Sequence, residues 1–291
     1  MHYVGHVIRP PGEADSLILQ VTFGCSYGSC RFCGAYPQAF GIKPLDVVFE
    51  DIEWWRRTHG PDVRRLFLAD GNALVRSDDD LIAILTEAHR QFPDLRRIAS
   101  YANARDILRR SPSSLARLAD MGLTLLYLGL ESGDDQLLSA MTKDHTAAEM
   151  IEAVSLAQSV GMKASVMALL GLAGDNPSAS TRHAEATAQA FNRMCPRFIN
   201  LLTLIVIPGT PLARDVASGS FRSASDHLVL NELRCLVDNL RVPGAVFRAN
   251  HASNPLPLAG RLPRDRERLL QIIDHARAGC LSLTPGYLRG L

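Results

Sequence analysis

Lysine is almost missing from this 291-residue sequence. Of its 31 basic residues 28 are arginine, and lysine stands only at Lys43, Lys143 and Lys163. So uniform a bias belongs to codon composition, and no arginine marks an anion site merely by its type. Net charge is nearly absent too, at +1, which excludes a whole-chain attraction to nucleic acid or to anionic lipid. The charge is uneven: residues 1–240 hold 23 basic and 27 acidic groups, residues 241–291 hold 8 and 3. Nucleic acid is therefore not the expected partner. Long hydrophobic runs are lacking as well. The most apolar stretches, Val166 to Ala173 and Ile199 to Ile207, fall far short of the roughly 20 residues a membrane helix needs. The opening MHYVGHVIRPPGEADS has Pro, Glu and Asp where a secretory leader needs an unbroken apolar run. The expectation is a cytoplasmic protein with no membrane partner.

What is present is apolar material for a large core, 47% of residues, arranged in a regular alternation. Apolar, β-branched runs predict strands at Leu17 to Phe23, Arg65 to Ala69, Arg97 to Tyr101, Leu123 to Leu130, Lys163 to Leu170 and Phe198 to Ile207. Helical periodicity predicts helices between them at Leu45 to Thr58, Asp79 to Gln91, Ser113 to Met121, Ala147 to Val160 and Ser178 to Met194. Gly122 and Gly161 sit where helix C-caps belong, and Thr146 precedes Glu149 at capping-box spacing. Strands separated by helices imply a parallel sheet with right-handed crossovers, an α/β fold closer to a barrel than to two halves. After Pro208-Gly209-Thr210-Pro211 the rhythm changes. Two helical stretches, Ala224 to Leu240 and Arg264 to Ala278, flank the polar segment Gly244 to Gly260, and residues 211–291 read as an extension of a core domain spanning 1–210.

Cysteine is scarce but clustered. Three of six lie within nine residues, as GCSYGSCRFC with Cys25, Cys30 and Cys33 in C-x4-C-x2-C spacing, directly after the first predicted strand. Loops after the strands form the functional face of a parallel α/β barrel, and three thiolates there can hold three irons of a [4Fe-4S] cluster, leaving the fourth open. A structural zinc site completed by His2 or His6, or thiols without a role, are the other readings. No second cysteine pair supports zinc. Cys195, Cys235 and Cys280 stand alone, as buried small hydrophobes commonly do.

The trio, with Phe32 just before its last cysteine, resembles the signature of the radical S-adenosylmethionine (SAM) enzymes, whose usual motif is C-x3-C-x2-C. The one extra residue in the first gap, of a kind found in parts of the superfamily, leaves class membership standing and assigns the chain to no one standard subfamily. Further matches run from Leu17 to Pro211, and the Val206 to Pro211 turn is similar to one in the enzymes related to coproporphyrinogen dehydrogenase, the Elongator catalytic subunit and the tRNA methylthiotransferases. The resemblance implies a partial (β/α)6 TIM-type barrel with a C-terminal helical and loop extension covering its mouth. It implies two cofactors, a [4Fe-4S] cluster on Cys25, Cys30 and Cys33, and SAM. Around SAM it implies Phe32, then Asp70, Gly71 and Asn72 at the methionine amino group, Ser100 and Asn103 at the carboxylate or ribose, Glu131 and Ser132 at the ribose, and Gly171 at the adenine edge. Asp70-Gly71-Asn72 also suits a plain turn, and Ser132 or Asp134 suits a helix cap.

The implied chemistry is one-electron cleavage of SAM to methionine and a 5′-deoxyadenosyl radical, which takes hydrogen from a small or medium organic substrate. An external one-electron donor such as flavodoxin or ferredoxin is the implied partner. With the first strand at Leu17, no cobalamin-binding domain is expected before the barrel, nor an added RNA-binding or acetyltransferase domain. Candidate substrate contacts are Tyr101 and, in the polar segment, Arg248, Asn250 and His251, with a surface loop satisfying its own backbone as the plainer reading. Two other functions stay open: a cluster- and haem-binding barrel that turns over no SAM, and RNA modification.

Overall fold

The computed structural model describes residues 1–290. In chain order the strands are β1 (Leu17–Gln20), β2 (Thr22–Phe23), β3 (Gly41–Ile42), β4 (Arg65–Ala69), β5 (Arg97–Tyr101), β6 (Leu123–Glu131), β7 (Lys163–Leu170), β8 (Phe198–Thr203), β9 (Val246–Ala249) and β10 (Leu258–Arg261). The helices are α1 (Leu45–His59), α2 (Asp78–Gln91), α3 (Ala104–Leu108), α4 (Pro112–Asp120), α5 (Asp135–Ala140), α6 (Ala147–Ser159), α7 (Pro177–Met194), α8 (Pro211–Ser218), α9 (Asp226–Asn239) and α10 (Arg266–Arg277). The chain divides into two compact units. One comprises Met1–Gly28, Ala35–Leu128 and Ser155–Ala164, the other Ser29–Gly34, Gly129–Val154 and the chain from Ser165 on.

In the first unit β1, β4, β5 and β6 form a parallel ladder, with Leu19 opposite Leu68, Phe67 opposite Ala99 and Tyr101 opposite Tyr127. Between these strands the chain returns through helices, as parallel pairing requires. Their apolar stripes bury Val48 and Ile52 of α1, Ile84 and Leu85 of α2, and Leu115 and Leu118 of α4. Ser77 and Ser111 each accept a backbone N–H and start α2 and α4. Gly122 and Gly161 have the left-handed φ of the expected caps. The predicted first strand is broken: β1 ends at Gln20, and Thr22–Phe23 pairs antiparallel with Gly41–Ile42 instead. Val21 still donates its N–H to Ala69, at 3.1 Å.

In the second unit β7 pairs parallel with β8, β8 parallel with β9, and β9 antiparallel with β10. Helix α7 packs on α9 and α9 on α10, burying Phe191, Leu236, Val237 and Ile273. Asn176 caps α7, and Thr146 and Glu149 close the expected capping box at the start of α6, with contacts of 2.7 and 3.2 Å.

Two expectations are corrected. The segment Gly244–Gly260 holds β9, which continues the parallel ladder, and most of β10, which pairs antiparallel with β9, so it is not a polar loop throughout. Phe247 and Ala249 are buried while Val246 and Arg248 are half-buried, a strand alternation too short to stand out among Gly, Pro and Asn. The lone cysteines are not core residues: Cys195 and Cys280 are exposed and Cys235 is partly so, and none of the six cysteines is in a disulfide. Cys195 takes the left-handed C-cap position of α7, where the chain must leave the helix. No helix among the described residues is long and apolar enough to cross a membrane.

Candidate active site

In the first unit the C-terminal ends of β1, β4 and β5 bring together four of the expected positions. Asp70 follows β4 and is fully buried. Its Oδ2 accepts from the Gln20 side-chain amide at 2.5 Å, while its Oδ1 is buried with no hydrogen-bond partner. Burial pushes the Asp70 carboxyl up to about 6, against the lowering effects of the Gln20 contact, the Ile8 backbone N–H and the Lys43 and His6 charges. Gln20 is held in turn by the N-terminal segment: it accepts from Val4 N–H at 2.8 Å and donates to the Val4 carbonyl at 2.9 Å.

Gly71 is glycine for want of space. Its N–H donates to Gly24 O at 3.1 Å, and a Cβ there would lie 2.6 Å from that oxygen and 2.7 Å from Cys25 Cα. The Asp70-Gly71 turn thus lies directly against the first cysteine. Asn103 reaches the same loop, its amide 3.3 Å from Ser26 Oγ. The other two polar groups expected here serve the chain itself. Asn72 accepts from Leu74 N–H at 3.0 Å and donates to Asp106. The Ser100 hydroxyl lies 3.2 and 2.8 Å from the Leu68 and Tyr101 carbonyls. Tyr101 packs edge-on against Phe67, and burial, with the Asp70 and Glu13 charges, raises the pKa of its phenol.

In the second unit Cys30, Glu131 and Lys143 share one environment. Lys143 donates to Glu131 Oε1 at 3.0 Å, both side chains largely buried. Burial opposes the Lys143 charge, but Glu131, Cys30 and Asp144 together outweigh it and hold the ammonium above its usual pKa. Gly129 makes room for the pair, since a Cβ there would lie 2.2 Å from Glu131 Oε1. Burial pushes the Cys30 thiol up to about 12, with Lys143 pulling it back and Glu131, Cys33 and Asp144 adding to the rise. Such a thiol ionises when a cation is bound to it, as metal coordination does.

The loop carrying Cys30 and Cys33 is pinned along its length. Thr142 donates to Ser29 O at 2.6 Å, Arg31 donates to Met141 O at 3.1 Å, and Leu212 donates to Arg31 O at 2.9 Å. Arg31 also pairs with Asp215, and Phe32 packs against Met141, Leu172 and Leu212. Ser132 is buried, 2.7 Å from His183 Nδ1, and Asp134 caps α5. Gly171 donates to Glu232 at 2.8 Å.

Of the three residues expected in the C-terminal segment, Arg248 lies on β9 with its guanidinium 5.1 Å from the Phe198 ring centre, and Asn250 is exposed. His251 bonds within its own turn, 2.9 Å from Ser253 Oγ, and burial lowers its pKa. Ser253 and Asn254 tie that turn to Thr203 at 3.0 and 2.8 Å.

Sequence reasoning missed Lys143, Gln20 and Glu232. Lys143 had a signal, as one of three lysines in an arginine-rich chain. Gln20 had one too, as the one amide in a strand run, Leu17 to Phe23, that is otherwise apolar but for Thr22.

The residues fit the implied cofactors in two respects. Asp70 offers an unmatched buried carboxylate oxygen, as a cationic amino group requires, and Gly71 keeps a backbone approach to the cysteine loop clear of side chains. No group of three or more His, Cys, Asp or Glu side chains among the described residues is gathered to hold a single metal ion. A cluster differs from such a site, because each thiolate binds a different iron.

The radical SAM superfamily model matches residues 19–185, more than half of the sequence, and the chain belongs to that superfamily. No curated protein matches it in sequence. Among solved structures it is similar to the radical SAM methyltransferase TsrM of Kitasatospora setae, solved with cobalamin and a [4Fe-4S] cluster bound, at 19% identity and TM-score 0.57, over 70% of this chain and 39% of that one. It is similar to coproporphyrinogen III oxidase of Escherichia coli, a radical SAM enzyme, at 14% identity and TM-score 0.57, over 77% of this chain and 51% of that one. Methylornithine synthase gives 13% identity and TM-score 0.54, over 94% of this chain and 83% of that one. These likenesses show the mostly parallel α/β fold of the radical SAM TIM-type barrels. The chain spans only 39% and 51% of the first two relatives.

Proposed function

We propose that this chain is a radical SAM enzyme that holds one [4Fe-4S] cluster through Cys25, Cys30 and Cys33 and acts on a small or medium organic substrate. Cluster and SAM together supply one-electron cleavage of the SAM sulfonium and, from it, hydrogen-atom abstraction. The observation that carries the reading is the unpartnered Asp70 Oδ1, buried beside a glycine that packs on Cys25. A buried carboxylate with one oxygen unbonded is costly unless a donor arrives, and the SAM ammonium is such a donor. Gln20 holds the other oxygen, so Asp70 keeps its orientation while the first is left for the ligand. Asn103 steadies the loop after Cys25.

Glu131, paired with Lys143, offers acceptor oxygens to ribose hydroxyls, and Gly129 leaves them unobstructed. Phe32 and the bonds of the Ser29–Gly34 loop fix Cys30 and Cys33 ahead of cluster binding. Tyr101, Arg248, Asn250 and His251 remain the proposed substrate contacts, and an external flavodoxin or ferredoxin the proposed electron donor.

Anaerobic reconstitution tests the reading. It should give about four iron per chain and, with SAM and reductant, release 5′-deoxyadenosine. Alanine at Cys25, Cys30 or Cys33 should abolish both. A chain that takes up zinc and never iron, or a cysteine variant that still cleaves SAM, overturns it. A loaded chain that binds haem and leaves SAM intact would point to the carrier reading.

A further inference from the structure

A polar network lies buried in the second unit among apolar side chains. Its centre is His183 on α7 and Glu232 on α9, both essentially inaccessible to solvent. Glu232 Oε1 accepts from Gly171 N–H at 2.8 Å and lies 3.4 Å from His183 Nε2. Its Oε2 accepts from Ser180 Oγ at 2.5 Å. His183 Nε2 is also 3.1 Å from Leu169 O, and Nδ1 is 2.7 Å from Ser132 Oγ and 3.3 Å from Thr187 Oγ1. The two hydroxyls accept in turn from the backbone of the next turn, Asp134 N–H to Ser132 and Gly133 N–H to Thr187, each at 2.9 Å.

Nε2 faces only a carbonyl and a carboxylate, so it carries a hydrogen. Nδ1 faces the Ser132 and Thr187 hydroxyls, each of which accepts a backbone N–H. The Glu232 carboxylate accepts from an amide and a hydroxyl, with the His183 ring 3.4 Å away. An apolar side chain would fill this place without the cost of desolvating a carboxylate. What the carboxylate adds is direction. It anchors the Gly171 amide, at the left-handed residue (φ 77°) where the chain leaves β7, and it lies beside the His183 ring, whose Nδ1 is 2.7 Å from Ser132 Oγ in the Glu131–Gly133 turn.

We propose that Glu232 is a positioning residue for SAM, fixing the Gly171–Gly174 and Glu131–Gly133 turns so that they meet the adenosine moiety in one geometry. The proposal rests on the reading of the site as a SAM site. It assigns a role to a helix beyond residue 210, outside the stretch matched to the superfamily.

The test is calorimetric titration of the cluster-loaded full-length chain with SAM, and of the cluster-free chain with S-adenosylhomocysteine, beside thermal unfolding. Glu232→Leu should weaken both affinities about tenfold, the loss of one hydrogen bond to a charged acceptor. It should raise KM for SAM by a similar factor while kcat stays within about twofold. Glu232→Gln keeps an oxygen for Gly171 N–H and should recover most of the affinity. Ser180→Ala removes one donor to the carboxylate and should weaken binding about threefold, which decides the matter if Glu232→Leu does not fold. Variants that are less stable yet bind both ligands as the parent chain does would show a purely structural network and overturn the proposal. A parent chain that binds neither ligand would overturn the SAM-site reading as well, so the two failures differ.

Discussion

Asp70 in the first unit and Glu131 in the second are both carboxylates at the C-terminal ends of parallel strands, and both are shielded from water. Their electrostatic settings are opposite. Glu131 has Lys143 at 3.0 Å. Asp70 has an amide on one oxygen and no well-formed hydrogen bond on the other, and its burial outweighs the Ile8 backbone and the more distant Lys43 and His6 charges. The first carboxylate is neutralised from within the chain and is suited to neutral hydroxyl donors. The second is left short of a cation and is suited to receive one. Two acidic residues that look alike in sequence thus acquire different ligand preferences from their neighbours, and the difference can be broken at either end.

The largest effect is expected from Lys143→Met. Removing one partner of a buried pair leaves the other charge uncompensated, which costs about 3 kcal/mol. Urea unfolding at neutral pH should show that loss, and adding Glu131→Gln should restore more than half of it, because both charges are then gone. A single variant as stable as the parent would mean that Glu131 is solvated and the contrast with Asp70 is false.

The next effect comes from the other end and has the opposite sign. Burial raises the Asp70 carboxyl to about 6 from its ordinary 3.8, so the folded chain favours the protonated form. That contribution to stability is complete below the ordinary value and is lost as pH rises through about 6. Asn is neutral throughout and still accepts from Gln20. Asp70→Asn should therefore raise the Tm of the ligand-free chain by roughly 2–6 °C at pH 7.5, with no gain near pH 3.5, while weakening SAM binding. Scanning calorimetry across that range checks it, and a gain independent of pH would sink the account.

How much of this was legible beforehand follows from the range of the interactions. The edges of β4, β5 and β7, and the start of α6 at its capping box, were readable because alternation, helical period and caps are local. The cysteine trio was readable because one loop holds it. Short α3 and α5 show too little period to register, and β9 and β10 were hidden by surrounding turn residues. The partners of the site residues lie far along the chain. Gln20 meets Asp70 across 50 positions, Ser132 meets His183 across 51, and Gly171 meets Glu232 across 61. Only tertiary structure brings them together. Asn72 and Ser100 show the converse, residues of suitable chemistry at suitable positions whose hydrogen bonds go to their own chain.

The smallest effect calibrates the other two. Thr146 and Glu149 cap α6 reciprocally, on the surface and apart from either carboxylate. Thr146→Ala should cost about 1 kcal/mol. The same cap lowers the Glu149 pKa, through its bonds from the Thr146 backbone and hydroxyl. Stability from that source is present above the ordinary Glu range and is lost as pH falls through the depressed folded value, so the cost of Thr146→Ala should shrink on acidification. This is the reverse of the trend at Asp70, where acid restores the parent chain to the level of the variant. SAM affinity should not change. If Thr146→Ala altered SAM binding as strongly as Asp70→Asn, the effect at Asp70 would reflect general loosening of the fold, and the unpaired oxygen would lose its meaning as a ligand site.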